Sequence, residues 1–479
     1  MIERLCADSR RCAPGVAFFA YPGESADGRR YIEQAIRQGA EAVVWEADGF
    51  AWNDAWRVPN TGVQGLKTLA GSLANEFYGR PSESLWTCGV TGTNGKTSCS
   101  QWIAALLGAR AEKTAVIGTL GSGFPGALAA EHNTTPDALE LHRRLAELRR
   151  AGAQCVAIEA SSHGLAQGRL NGVAFDCALF TNLSQDHLDY HGTLEAYAEA
   201  KSRLFDTSGL AVAVLNLDDV LGVRLAQRLA ARGMRTIGYA LSEAAVAPGS
   251  VTEYIAAREI RVAEAGTHAT LVSSWGGVEA IINQPGRFNV ANALGVLGCL
   301  VAHGIAFAEA AALLGSLPAV PGRMQRLGGA GRPLVFVDYA HTPDALEKVL
   351  QALRPVADAR GGRLIAVFGA GGDRDPGKRA PMGAAASRHA DRLVLTSDNP
   401  RSEDPLAILA AVRAGVTAPC VEEPDRAAAI ERALREARSA DVVLLAGKGH
   451  ESEQEIAGRK LPFSDVAAAS AALARWTGR

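Results

Sequence analysis

The feature that most restricts this chain is a glycine-rich segment, Gly89-Val90-Thr91-Gly92-Thr93-Asn94-Gly95-Lys96-Thr97, set between an apolar run and an amphipathic one. Residues 85–90 read as a β-strand and 97–107 as a helix, the strand–loop–helix order of a phosphate-binding unit. Glycines let backbone N–H groups crowd an anion at a helix N-terminus, a lysine adds charge there, and the hydroxyl that follows suits Mg²⁺. Residues Gly92, Thr93, Asn94, Gly95, Lys96, Thr97 and Ser98 are therefore candidates for binding ATP, with Lys96 on the β- and γ-phosphates. The spacing departs from the usual loop, because the position five before Gly95 is Val90 and the glycine falls at Gly89.

Around this loop the chain reads as α/β throughout, with three domains at 1–84, 85–317 and 318–479. At 479 residues about three domains is also the ordinary number. The first carries apolar runs at 16–20 and 42–45 with a helical pattern at 30–38 between them. The second adds strand candidates at 155–159, 177–181 and 211–216 and a helix at 136–150, as a central P-loop-type mononucleotide-binding parallel sheet does. A Pro-x-x-Pro-Gly-Arg stretch at 317–323 breaks the pattern and reads as a hinged linker. Beyond it, runs at 334–337, 364–368, 392–396 and 441–445 alternate with helical patterns, predicting a C-terminal doubly wound, Rossmann-like domain.

The loop and the motifs after it resemble the Mur ligases and their relatives, the folylpolyglutamate synthetases. The carriers are the glycine-rich loop, Glu159-Ala160-Ser161-Ser162-His163-Gly164, Thr181-Asn182-Leu183-Ser184-Gln185-Asp186-His187, and Ala200-Lys201 with Leu204-Phe205. The similarity runs from Asp8 to the region of Lys448. It implies that Thr97 and Glu159 hold one Mg²⁺, and that His187 and Lys201 serve a second and act in catalysis with Lys96, Lys201 as a carbamate. It also implies that Asn289 and Asn292, Arg323 and Asp338 bind ATP. Asp8-Ser9-Arg10, with 23–36 after it, resembles the UDP-binding domain of two members of the family, which places Ser9 on uracil or its ribose. Thr134, Thr135, Ser161, Gln167 and Arg169 match positions that hold a UDP-linked muramoyl dipeptide. Asp398-Asn399-Pro400-Arg401, with Arg374, Gly447 and Glu451, resembles the amino-acid site of the diaminopimelate-adding members rather than the lysine-adding ones.

Taken singly, several of these residues have plainer readings. Glu159 suits a metal at the end of a strand, or a cap; His187 alone fits a structural role; the two threonines suit N-capping. Arg323 could pair with a carboxylate at a domain junction, and Asp-Asn-Pro is a good turn. A net charge of -2 provides no basic field for nucleic acid. No apolar stretch reaches the length of a membrane span, and charges near Met1 stand where a signal peptide would be apolar. The expectation is a monomeric cytoplasmic enzyme that binds ATP, Mg²⁺, a UDP-linked muramoyl dipeptide and meso-diaminopimelate. The other classes are a polyglutamate synthetase and a non-catalytic ATP-binding regulator.

Overall fold

The computed structural model describes residues 1–24, 26–247, 249–263 and 266–478; Ser25, in the stretch 23–36 singled out above, lies outside the described residues. The chain forms two compact units. One comprises residues 1–92, 103–179 and 199–213; the other comprises 93–102, 180–198 and 214–479.

The first unit opens with a parallel sheet in chain order, Arg4–Cys6, Val16–Ala20, Ala42–Glu46 and Asn60–Val63. The expected helix begins as a 3₁₀ turn, Gly28–Tyr31, before Ile32–Arg37. Phe18, Ile32 and Val43 pack into one face of this sheet, and Ala17, Phe19 and Leu66 into the other. Further along, the strand Cys155–Glu159 is flanked by parallel neighbours, Trp86–Thr91 and Thr114–Gly118. All five of its residues are buried, as a strand covered on both faces requires. Two short antiparallel strands, Gly121–Phe124 and Ala127–Ala129, extend the edge beyond Thr114–Gly118.

The second unit contains an antiparallel set that the sequence reading missed. Glu253–Ala263 runs parallel to Arg235–Ala240, then pairs antiparallel with Gly266–Ser273, which pairs with Gly276–Ile282. Its buried face in Gly266–Ser273 is built from Thr267, Ala269 and Leu271, too weakly apolar to stand out as alternation.

The doubly wound sheet has the order Gln325–Gly328, Leu334–Asp338, Val442–Ala446, Leu364–Phe368, Arg392–Leu395, Cys420–Glu422, with only the first strand antiparallel. Side chains alternate between two cores. Leu334, Phe336, Leu444 and Phe368 meet the helices Pro343–Ala359 and Arg379–His389, whereas Val335, Val337, Val443 and Val367 meet Arg426–Glu436 and Asp465–Ala474. The carboxyl ends of Leu334–Asp338, Leu364–Phe368, Arg392–Leu395 and Val442–Ala446 thus open on one side, where an α/β sheet of this kind receives ligands.

The opposite end of this sheet is held by Asp441, which precedes the central strand. Its buried carboxylate accepts bonds from the Arg363 amide at 2.8 Å and Nη2 at 2.7 Å, and from the Arg438 amide at 2.8 Å. Burial alone would raise its pKa, but these donors bring it down to about 2. A carboxyl group depressed in this way stabilises the fold above its unfolded pKa of about 3.9, by on the order of 2 kcal/mol, and loses that contribution as pH falls through the folded value. Asp441→Asn should lower stability by about that amount at pH 7. The difference from wild type should shrink between about pH 4 and pH 2 when denaturation is followed across pH.

Candidate functional site

The glycine-rich loop leads into the helix Lys96–Gly108. Gly95 has φ +90°, and a Cβ there would lie 2.4 Å from Asn292 Oδ1, so the loop needs glycine on both conformational and steric grounds. The loop is strapped by the segment after the strand Cys177–Phe180. Thr93 N donates to Asn182 O at 2.8 Å, Asn94 N to Asn182 Oδ1 at 3.0 Å, and Thr181 Oγ1 to Asn94 O at 2.5 Å. Lys96 folds back on the loop, its Nζ donating to Thr93 O at 2.9 Å. Arg323 arrives from the linker, donating to Thr97 Oγ1 at 3.1 Å and stacking over the Tyr339 ring at 4.4 Å. Sequence reasoning therefore placed Lys96, Thr97, Arg323 and Asn292 in one neighbourhood, and the structure brings them there. Asn289 Nδ2 donates to Pro285 O at 2.9 Å, inside the start of the helix Arg287–Ala302. Asp338 is buried and accepts from the amides of Met324 and Ala340 at 2.7 and 2.8 Å, tying linker to strand end. Its burial raises its pKa, an effect that Arg323 opposes.

In the first unit a second cluster forms around Glu159, which is fully buried at its strand end. Its carboxylate accepts from the amide and hydroxyl of Thr119 at 2.9 and 3.0 Å. Thr119 Oγ1 is 3.0 Å from Thr134 Oγ1, and Thr135 Oγ1 donates to Glu159 O at 2.6 Å and lies 2.9 Å from Ser161 Oγ. Arg169 closes the cluster through Thr135 O at 2.8 Å and Gln167 Oε1, and Gln167 Nε2 donates to Glu24 at 2.7 Å. Thr134, Thr135, Ser161, Gln167 and Arg169 thus form one network with Glu159. Thr119 was not singled out from the sequence, although it directly follows an apolar run, the position where such sheets expose ligand groups. Ser9 lies elsewhere in this unit, buried, its hydroxyl donating to Gln34 at 3.1 Å.

Lys201 is 1% exposed, and its Nζ donates to Gly92 O at 2.8 Å, so the ordinary solvated helix lysine does not describe it. His187 belongs to the second unit, is 42% exposed along its side chain, and sits 3.4 Å from Asp186 with φ +53°. Burial would raise the Asp186 pKa, but His341, His187 and Lys378 together lower it. His341, half-buried with Nδ1 2.8 Å from Tyr339 O, has its pKa lowered by desolvation.

The third cluster stands on loops after three strands of the doubly wound sheet. Asn399 Nδ2 donates to Glu451 Oε2 at 2.8 Å, and Lys448 Nζ reaches both Asn399 Oδ1 at 3.0 Å and Glu451 Oε2 at 2.7 Å. Asp398 is 8% exposed, and its Oδ2 is buried without a hydrogen-bond partner among the described residues. Arg401, at φ +53°, donates from Nη1 to Gly372 O at 2.6 Å and pairs with Glu455 at 3.5 Å. Arg374 stands exposed on the neighbouring loop. Lys448, missed in the sequence, is the fully buried cation that couples Asn399 to Glu451. His450 beside it is held neutral, burial, Arg323 and Lys448 pushing its pKa down to about 4.

A glycine-rich loop between a strand and a helix of a largely parallel sheet, followed along the chain by a doubly wound sheet, defines a class, and this chain belongs to the Mur ligase family. Its residues 1–78 match the family's catalytic domain, 90–300 the Mur ligase middle domain, and 322–449 the glutamate ligase domain. The UDP-N-acetylmuramoyl-L-alanyl-D-glutamate–2,6-diaminopimelate ligase of Janthinobacterium sp. (strain Marseille) is 51% identical, over 98% of this chain and 94% of that protein. The enzyme of the same name from Chromobacterium violaceum is 50% identical, over 100% and 95%. A solved structure of a ligase with that name is 38% identical, with a TM-score of 0.69 over 99% of this chain and 95% of that one.

The Glu159 cluster leaves no room at its edge. A Cβ at Gly118 would lie 2.2 Å from Glu159 Oε1, whose side chain is fully enclosed. Gly118→Ala should therefore cost about 1–3 kcal/mol in denaturant unfolding, as overpacking does. Gly108→Ala, where a Cβ meets nothing within 4 Å, should be neutral or stabilising by up to about 1 kcal/mol.

Proposed function

We propose that the protein is an ATP-dependent amide ligase that joins meso-diaminopimelate to UDP-N-acetylmuramoyl-L-alanyl-D-glutamate, a step of peptidoglycan precursor synthesis. The observation that carries the reading is the third cluster. A buried carboxylate oxygen of Asp398 without a partner among the described residues, on a loop shared with a guanidinium whose Nη1 and Nε are already anchored, suits a ligand carrying both ammonium and carboxylate groups. The names of the relatives at about half identity agree with it. We divide the chain into a UDP-binding domain at 1–84, an ATP-binding domain at 85–317 and an amino-acid-binding domain at 318–479, and read it as a cytoplasmic monomer. Among the described residues no helix is long and apolar enough to cross a membrane.

The D-glutamate carboxylate attacks the γ-phosphoryl group of ATP, giving an acyl phosphate and ADP. The amides of residues 95–97, at the start of the helix, cradle the phosphates, and Lys96 and Arg323 spread the charge that shifts to the leaving oxygen. The amine of diaminopimelate then attacks the acyl carbon, and phosphate departs as the amide forms. In this reading Thr134, Thr135, Ser161, Gln167 and Arg169 hold the UDP-linked dipeptide, with Ser9 at uracil. Asp338, Asn289 and Asn292 serve ATP, while Arg374, Asp398, Asn399, Arg401, Gly447 and Glu451 serve diaminopimelate. In this reading Glu159, a buried carboxylate, and Thr97, a hydroxyl, are the hard oxygen donors that would hold one Mg²⁺, and His187 and Lys201 would serve a second. When bound there, Mg²⁺ supplies neutralisation of phosphate charge. Lys201 as an ammonium offers no lone pair, so it would serve the second ion only as a carbamate.

The test is phosphate release with ATP, Mg²⁺, the UDP-linked dipeptide and either meso-diaminopimelate or L-lysine. Turnover with diaminopimelate and little with lysine is expected; equal use of both ends the substrate assignment. Arg401→Ala should lower kcat/KM for diaminopimelate by about 10- to 100-fold, with ATP and dipeptide KM nearly unchanged, since the lost bond is a charge-assisted one. Lys201→Ala should be inactive and partly restored by a short carboxylic acid; wild-type turnover in that variant would refute the carbamate.

A further inference from the structure

Behind the amino-acid cradle lies a cation that the reaction does not use. Arg426 and Asp465 are 1% and 0% exposed and pair at two points, Nε to Oδ1 and Nη2 to Oδ2, both at 2.7 Å. The remaining donors of the guanidinium reach two carbonyls: Nη1 meets Ser397 O at 3.2 Å, and Nη2 meets Ala446 O at 2.9 Å.

Neither helix explains this arginine. Arg426 is the first residue of Arg426–Glu436, where the positive end of the helix dipole disfavours a cation, and Asp425 already caps that end through the Ala428 amide. Stability does not explain it either, because apolar residues of like volume commonly replace a buried ion pair without loss. Its two carbonyl contacts do. Ser397 directly precedes Asp398, and Ala446 directly precedes Gly447. Because a peptide unit is planar, gripping each carbonyl fixes the unit from which the next residue departs. The two loops so gripped meet through Asn399, Lys448 and Glu451, and through Gln454 Nε2, which donates to Asp398 O at 2.7 Å. Their spacing is tight: a Cβ at Gly447 would lie 2.2 Å from Asp398 Oδ2. Burial works against the charge on Arg426, yet Asp465, Asp398 and Glu451 together more than compensate.

We propose that Arg426, held by Asp465, is a positioning residue for the amino-acid site, fixing the loops 397–401 and 447–451 at the separation at which Asp398 and Glu451 receive the ammonium group of the substrate that does not react. The inference rests on the assignment of that site made above. Arg426 touches no substrate; its effect passes through the two carbonyls.

Arg426→Ala strands Asp465 in the core and is expected to fold poorly. The informative variants are Arg426→Lys, which keeps the charge but lacks the fork, and the double variant Arg426→Met with Asp465→Leu, which removes both charges and keeps the volume. In both, once circular dichroism shows a folded chain, KM for meso-diaminopimelate should rise by about tenfold or more, as small misplacements of binding groups do. The lysine variant should be the less affected, and KM for ATP and for the UDP-linked dipeptide should stay within about twofold in both. Amide hydrogen exchange should quicken in 397–401 and 447–451 while the strands keep their protection. A folded double variant with wild-type KM for diaminopimelate and wild-type exchange in those loops would overturn the proposal, as would KM values rising in step for all three substrates. If wild type itself failed to use diaminopimelate, the substrate assignment would fall, and the exchange comparison would still decide the role of Arg426.

Discussion

Taking a charged group out of water costs several kcal/mol unless other groups replace the hydration, and this chain takes many out. Glu159, Lys201, Asp441, Lys448, Arg426 and Asp465 are each no more than 1% exposed. Every one of them is bonded to backbone or to an opposite charge: Thr119 for Glu159, Gly92 for Lys201, Arg363 and Arg438 for Asp441, Asn399 and Glu451 for Lys448. The partners are mostly loop atoms far away in sequence. The energetic demand of each buried charge therefore doubles as a tether, and the loops that carry the chemistry are held by charges beneath them.

The tethers sort by end of sheet. Asp441 works at the amino end of the doubly wound sheet, where its six bonds to Arg363 and Arg438 join two turns and serve stability. Asp338, Asp398 and Lys448 work at the carboxyl end, where the strands release their loops. Asp398 differs from these in keeping a buried oxygen without a donor among the described residues. An unsatisfied buried acceptor is costly, and it is tolerated where a ligand supplies the missing donor.

Much of this was legible in the residues. Strands at 16–20, 155–159 and 364–368 coincide with Val16–Ala20, Cys155–Glu159 and Leu364–Phe368, because runs of apolar residues bounded by turns leave little choice. Lys96, Thr97, Asn292 and Arg323 were placed together on motif grounds, and their geometry agrees. What escaped the sequence had no local signal. The antiparallel strands from Glu253 to Ile282 hide an apolar face in which alanines and Thr267 dilute Ile255, Leu271 and Ile282. Thr119, Lys448 and Arg426 matter through partners 40, 49 and 29 residues distant, a relation no window of sequence displays.

Arg401 carries one more implication. Its backbone joins a hairpin, Glu453–Ile456 with Arg459–Pro462, by donating to Glu455 O at 3.0 Å and accepting from Ala457 N at 2.7 Å. The left-handed turn that aims its guanidinium is thus set by a two-stranded appendage outside the main sheet. Divergence can act on that appendage, lengthening its turn or exchanging its strands, and so re-aim the side chain proposed to discriminate among amino acids while the glycine-rich loop stays under separate selection. In such an architecture, new substrate preferences arise by trading a small exterior module.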